Sequence, residues 1–229
     1  MQNNKGNTEY RQSLRQKILE TAMSLFVKHG IKKVKMDDVA AALTISKRTL
    51  YEVFTDKENL LLSGLKMSRE RSEKRMSKIV EENDNVMEII IKVFKQQLEE
   101  LRDIDPRFVA DLARYPQVNE FFAQEHEHIK ELTRRFIKRG MDEGYFLPKL
   151  NINLLLDLWG AHRDIVIQQQ LYHGNSMESI YVHLSIISLR GICTQQGIAK
   201  LDKMMDELLR YSSLSYRRLR LSKVFDLQY

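Results

Sequence analysis

Turn-forming residues are scarce in this 229-residue chain, which has nine glycines and three prolines. They make up about 5% of the residues, whereas average proteins contain roughly 12%. Sandwiches, barrels and propellers need a turn about every 8–12 residues, so the composition argues against these folds. Charged residues account for 30% of the chain and hydrophobic residues for 43%, which argues against a disordered or fibrous protein. We therefore expect a globular, helical protein of one large or two small domains.

Cysteine and long apolar runs are also lacking. Cys193 is the single cysteine, so the chain forms no internal disulfide and no cysteine-based metal site. Its apolar neighbours Leu189 and Ile192 predict a buried, inert thiol. No apolar run reaches the ~18–20 residues of a membrane-spanning helix, and residues 1–13 have no apolar core typical of a signal peptide. We expect a cytoplasmic protein that does not enter a membrane.

The positive charge is unevenly distributed along the chain. The formal net charge is +6. Residues 1–80 contain 17 Lys and Arg against 9 Asp and Glu, whereas residues 81–229 contain 20 against 22. The excess of cations at the N-terminal end points to a polyanionic partner there, and the nearly neutral remainder suits an apolar ligand.

Three short helices are predicted in the first 57 residues. Apolar residues recur at helical spacing from Arg11 to His29, after a polar segment over 1–10 that we expect to be mobile. A second amphipathic segment begins at Met36. Ser46 is a good N-cap for a third helix that ends at Phe54. A tight turn between the second and third helices is typical of a helix-turn-helix.

The third helix has an apolar face and a polar face. At 100° per residue, Leu50 and Phe54 share one side and are expected to point into the core. The outward side chains are those of Lys47, Arg48, Thr49 and Tyr51. Two cations, a hydroxyl and a phenol suit phosphates and base edges, which predicts that this helix enters the major groove of double-stranded DNA.

The residues of this segment resemble the DNA-binding domain of the TetR family of bacterial transcriptional regulators. The resemblance covers residues 17–61 and is carried by Gly30, DDVA (37–40), SKRTLYEVF (46–54) and KENLL (57–61). It implies that Thr49 and Tyr51 contact DNA and that Lys57 binds a phosphate at the start of the next helix. It places Ser46 and Lys47 at the front of the recognition helix.

Three positions depart from the family pattern. Thr44 stands where the family usually has glycine, so the turn must form with a side chain present. Lys35 stands at the cap of the second helix, where its ammonium cannot accept a hydrogen bond, and Val53 replaces a second aromatic residue. The basic cluster of Lys32, Lys33 and Lys35 is either a solvated loop or a phosphate clamp.

The remainder of the chain predicts further helices and a second domain. Segment 179–189 is rich in β-branched residues, but no second strand candidate exists to pair with it, so we favour a helix there. The charged stretch 69–78 predicts a solvated helix face, and no role is assigned to the basic segment 217–225. The predicted helices span 57–82, 86–101, 108–115, 118–140, 152–172, 177–192 and 198–209.

The resemblance implies that residues 58–229 form a helical ligand-binding and dimerisation domain behind the helix-turn-helix domain of residues 11–57. Segments 152–172 and 177–192 fit the role of the helices that pair two subunits, because one neighbour cannot cover all their apolar surface. A homodimer would bind a palindromic operator and respond to an unknown small-molecule effector. The candidate ligand-binding residues are Phe94, Phe108, Tyr115, Phe122, His126, Trp159, His162 and Arg163.

Motifs of enzymes and metal sites are missing from the sequence. It has no glycine-rich phosphate loop, no nucleophile elbow and no His-Glu-x-x-His. His126 and His128 point to different sides of a helix, so we expect no metal and no cofactor. The hypothesis is a homodimeric repressor released by an effector. The alternatives are a helical carrier or enzyme that keeps the three-helix segment as structure, or a non-specific architectural DNA-binding protein.

Overall fold

The computed structural model describes the backbone of residues 2–211, and the side chains of residues 9–205 except 163, 164, 167 and 204. Segment 217–225 and the Arg163 side chain, both named above, lie outside the described residues. Ten helices form in this part of the chain. They are α1 (Gln2–His29), α2 (Met36–Ala42), α3 (Lys47–Val53), α4 (Lys57–Glu81), α5 (Val86–Leu101), α6 (Pro106–Leu112), α7 (Pro116–Asp142), α8 (Ile152–Gln168), α9 (Met177–Ile192) and α10 (Gln195–Tyr211).

The all-α prediction is confirmed. Within the described residues the β pairing is a single bridge between Phe146 and Cys193. Segment 179–189 is helical throughout, as part of α9, and α5 has the predicted ends, with Asn85 accepting hydrogen bonds from the first turn. None of the helices over residues 2–211 is long and apolar enough to cross a membrane.

Some predicted helix ends are wrong. The first helix begins at Gln2 rather than Arg11, because polar residues can continue a helix without adding to its apolar pattern. The mobility of residues 1–10 stays a prediction. The sixth helix begins at Pro106, two residues before the predicted start, because Asp105 caps it by accepting from the Arg107 N–H at 2.8 Å. The eighth helix ends at Gln168, four residues early, ahead of the left-handed Gln170 (φ +49°).

The helices surround two hydrophobic cores. The first core joins α1–α4 to α6 and the start of α7, and it includes Phe108 and Val118. The second core is built from α5 and α7–α10. We call residues 11–57 the head and residues 58–229 the body. Since side chains of α6 and α7 complete the first core, apolar packing continues across the predicted boundary between head and body.

Helix α4 begins beside the head and is held along its length by ion pairs. Arg69 pairs with Glu125 of α7 at 2.7 Å, Arg71 with Glu20 of α1 at 2.5 Å, and Arg75 with Glu100 of α5 at 2.8 Å. The stretch 69–78 was expected to be a solvated face. Most of its residues are exposed, Arg71 and Arg75 among them, and its three arginines also connect α4 to three other helices.

Candidate nucleic-acid interface

The turn between α2 and α3 forms with a threonine in the left-handed region. Thr44 has φ +56°, a conformation that glycine adopts without strain and other residues adopt at some cost. The Ile45 N–H donates to the Ala40 carbonyl at 3.0 Å, which closes the turn. At the start of α2, the Asp38 carboxylate accepts from the Lys35 N–H at 2.7 Å. Asp38 therefore contributes a hydrogen bond at the end where the Lys35 side chain cannot accept one.

Helix α3 is fixed by a cap at one end and by two buried side chains. Ser46 Oγ accepts from the Thr49 N–H at 3.0 Å and lies 2.8 Å from Thr49 Oγ1. Leu50 and Phe54 are completely buried in the first core. A helix of seven residues is marginal in isolation, so these contacts set its position on the head.

The opposite face of α3 projects into solvent. Ser46, Lys47 and Arg48 are exposed, and Tyr51 keeps 42% of its surface exposed, whereas Thr49 is half-buried. The structure thus brings these five predicted residues together on the solvent-facing side of α3. Their contact with DNA stays a prediction.

Carboxylates lie directly beside the cations of this surface. Lys47 Nζ is 2.8 Å from Asp37 of α2, and this hydrogen bond raises the pKa of Lys47. The same ammonium lies 5.9 Å from the centre of the Tyr51 ring. Arg48 Nε pairs with Glu52 one turn further along α3 at 2.9 Å. Asp37 was not identified from the sequence as part of the surface, because its partner is ten residues away on another helix.

Lys57 lies at the first position of α4 and is half-buried. Its ammonium is 5.8 Å from the centre of the Phe26 ring. Burial lowers the pKa of Lys57, and the negative charges of Asp111 and Asp38 oppose that shift. Lys35, the remaining candidate DNA contact, is exposed at the start of α2.

A cavity of about 390 Å³ lies in the body between α5, α8 and α9. Three of the predicted ligand-binding residues, Phe94, Trp159 and His162, line it together. The other lining residues are Ile90, Val93, Tyr181, Leu184, Ser185, Ser188 and Leu189. The ring centres of Phe94 and Tyr181 are 5.3 Å apart. The pKa of Tyr181 is raised because the phenol is buried, and its hydrogen bond with Ser185 offsets part of that rise.

Four of the other predicted ligand-binding residues lie elsewhere. Phe108 is buried in the first core, and Tyr115 and Phe122 pack against that core. His126 on α7 lies beside Gly160 of α8. The sequence did not identify Tyr181, Ser185 and Ser188, because nothing local distinguishes a cavity wall from an ordinary helix of mixed polarity.

An apolar stripe is exposed on α8, and α9 adds a further exposed side chain. Leu154, Leu158 and Ile165 follow one side of α8 and remain 47–56% exposed, and Ile187 on α9 is 64% exposed. These residues fall in the two segments predicted to pair subunits. Among the residues that the structure describes, no group of three His, Cys, Asp or Glu side chains is placed to hold a metal ion.

Comparison with known proteins relates the N-terminal part of the chain to one family. Residues 18–63 match the family model described as "Bacterial regulatory proteins, tetR family". The HTH-type transcriptional regulator UidR of Escherichia coli K12 is 27% identical over 162 residues, which cover 67% of this chain and 82% of that protein. The HTH-type transcriptional repressor KstR2 of Mycobacterium tuberculosis is 24% identical over 149 residues, which cover 62% of this chain and 74% of that protein.

Solved structures share the fold over most of the chain. A chain from Saccharomonospora viridis, determined in complex with choline, has a TM-score of 0.65 at 20% identity and covers 80% of this chain and 100% of its own. A TetR-family regulator from Cytophaga hutchinsonii has a TM-score of 0.61 at 16% identity, and the match covers 81% of this chain and 98% of that one. The arrangement of a helix-turn-helix head on a helical body is therefore shared with these proteins.

Proposed function

Because this chain belongs to the TetR family of bacterial regulatory proteins, we propose that it is a repressor that binds its operator as a homodimer and releases it when a small molecule binds. It acts in the cytoplasm, and its partners are double-stranded DNA, a second copy of the chain and the effector. The observation that carries the proposal is the exposed face of α3. A capped helix whose inner side chains are buried presents cations, hydroxyls and an aromatic ring outward, as readout of the major groove requires.

Each side chain of this surface has a role in the proposal. Thr49 and Tyr51 contact base edges, and Lys47 and Arg48 contact phosphates or base edges from the same helix. Ser46 holds the front of α3 and orients the Thr49 hydroxyl. Lys35 and Lys57 contact phosphates on either side. The net charge of +8 over residues 1–80 attracts the DNA from a distance.

The exposed stripe of α8, with Ile187 of α9, supports dimerisation through these two helices. Apolar side chains that are about half exposed in one chain gain stability when a second copy covers them. One three-helix head offers little contact with DNA. Two heads about one helical turn apart (~34–36 Å) read a palindrome together.

The cavity between α5, α8 and α9 is the proposed effector site. Its walls are mainly apolar, with polar groups from His162, Tyr181 and two serines. An apolar effector bound there shifts α5 and α4, which changes the separation of the two heads. Trp159 is the single tryptophan of the chain and lines this cavity, so its fluorescence reports occupancy directly.

The proposal is tested by a salt titration of binding to the DNA upstream of the gene and to random DNA of equal length. We expect the upstream DNA to bind well above the random competitor, with a steep dependence on salt. Thr49→Ala and Tyr51→Ala should erode the discrimination, whereas Lys57→Gln should weaken binding to both DNAs about equally. Equal affinity of the wild type for both DNAs would indicate an architectural protein, and no binding at all would refute the regulator.

A further inference from the structure

Asp111 on α6 is buried at the junction between body and head. We propose that it is a positioning residue for DNA recognition, whose carboxylate sets the angle of the head on the body and so the separation of two heads in a dimer. The inference rests on the proposed function, because this separation matters only to a dimer that reads two half-sites.

The carboxylate of Asp111 reaches across the junction to the backbone of the head. Its Oδ2 accepts from the Lys32 N–H at 2.7 Å, and the residue is only 7% exposed. Lys32 lies in the turn between α1 and α2, directly before the helix-turn-helix. A buried hydrogen bond to a charged acceptor is stronger than a neutral one, so this contact holds the turn firmly.

A further hydrogen bond crosses the same junction, in which the Asp105 N–H donates to the Val27 carbonyl at 2.9 Å. Within the body, the Gln117 N–H donates to the Glu58 carboxylate at 2.8 Å, which joins α7 to the first turn of α4. Apolar packing, for example of Phe108 in the first core, is non-directional and allows sliding. Hydrogen bonds depend on direction, so these contacts define the angle that apolar packing leaves free.

The surfaces meet closely at Asp111. A Cβ atom on Gly30 would lie 3.0 Å from Arg107 Cβ and 3.4 Å from Asp111 Oδ2, and Gly30 has φ +82°, which favours glycine. The charge of Asp111 also acts on Lys57, where it opposes the effect of burial on the ammonium. Asp111 thus acts on the turn before α2 and on the start of α4.

The position of Asp111 also connects the head to the proposed effector site. Helix α6 follows α5 after a short turn, and α5 contributes Ile90, Val93 and Phe94 to the cavity wall. A shift of α5 therefore moves α6 and, through Asp111, the turn at Lys32.

The test measures how affinity depends on half-site spacing. An operator is selected from random duplexes with the wild type. It is then compared with versions carrying one base pair more or less between the half-sites, and with a single half-site. One base pair displaces a half-site by about 3.4 Å along the axis. We expect the wild type to lose about tenfold or more in affinity for each change.

With Asp111→Ala, each one-base-pair change in spacing should lower the affinity by less than about threefold, while the affinity for the single half-site stays unchanged. Asp111→Asn should restore the wild-type profile, because its amide oxygen accepts the same hydrogen bond. Asp103→Ala is the matched control, since it removes an exposed carboxylate from the turn before α6. If the alanine variant melts below the assay temperature, Asp111→Leu fills the space without an acceptor and is measured instead.

A wild-type spacing profile in a folded variant without the carboxylate would overturn the role of Asp111. An equal loss on the full operator and on the single half-site would also overturn it, because it would show a general weakening of the head. A wild type without any spacing preference would refute the proposed function itself, before any variant is compared.

Discussion

The ion pair between Lys47 and Asp37 predicts that removing a carboxylate strengthens DNA binding. Lys47 Nζ lies 2.8 Å from Asp37 on an exposed surface, where the ammonium is also expected to meet DNA. A phosphate that binds Lys47 must approach within about 3 Å of the ammonium. It then lies within roughly 6 Å of the Asp37 carboxylate and is repelled by it. We therefore expect Asp37→Asn to bind DNA more tightly than the wild type.

The size of the effect follows from this separation. Coulomb's law in water gives a repulsion slightly above the thermal energy for two unit charges about 6 Å apart. A dimer places two heads on DNA, so the two repulsions together amount to about tenfold in affinity at low salt. The gain shrinks toward 0.15 M salt, where the screening length is about 8 Å.

The assay is a fluorescence-anisotropy titration of labelled operator and labelled random DNA at two salt concentrations. Asp37→Asn should tighten binding to both DNAs, because a phosphate contact carries no sequence information. Glu20→Gln is the matched control. Glu20 lies on α1, away from α3, and its carboxylate pairs with Arg71 of α4. That hydrogen bond is the main reason why the pKa of Glu20 is lowered.

A weaker complex of Asp37→Asn with both DNAs would refute this reasoning. It would show that Asp37 holds Lys47 in its binding geometry rather than competing with phosphate for it. An equal gain in the Glu20→Gln variant would also refute it, because the effect would then follow from net charge alone.

Three further predictions concern the body. Leu158→Asp should give a monomer in analytical ultracentrifugation if α8 pairs the subunits. Met76→Asp, which changes another exposed apolar residue, should leave the dimer intact. A dimeric Leu158→Asp protein would contradict the proposed interface. Burial raises the pKa of the Cys193 thiol from 9.0 to about 11. Because the unfolded thiol ionises first, its contribution to the free energy of unfolding should be lost as the pH rises from about 9 to about 11, and thiol labelling of the native protein at pH 8 should be slow. A Cβ added at Gly140 would lie 2.1 Å from the Phe146 ring, so Gly140→Ala should lower the free energy of unfolding by about 1–3 kcal/mol in urea titrations, and a stabilised variant would contradict this packing.

Local sequence patterns predicted the head well. Ser46 caps α3 and the apolar pair Leu50 and Phe54 is buried, as the spacing indicates. Thr44 adopts the left-handed backbone conformation that the turn between α2 and α3 requires. These features depend on residues within a few positions of one another, so the sequence displays them directly.

Contacts between distant segments were not predictable in the same way. Asp111 and Lys32 are 79 residues apart, and no local pattern marks either as a partner of the other. The arginines of 69–78 have the periodicity of a solvated face, yet their partners come from three other helices. Aromatic residues also look alike in sequence whether they belong to the first core, as Phe108 does, or to the cavity, as Phe94 does.

Chemical protection of operator guanines at N7, an atom that faces the major groove, tests the role of α3 most directly. We predict protection in two half-sites whose centres are about 10 base pairs apart, or a multiple of that. The protection should weaken at defined positions when Tyr51 or Thr49 is replaced by alanine. Binding that leaves every guanine N7 reactive, or protection that those substitutions do not change, would contradict the placement of α3 in the major groove.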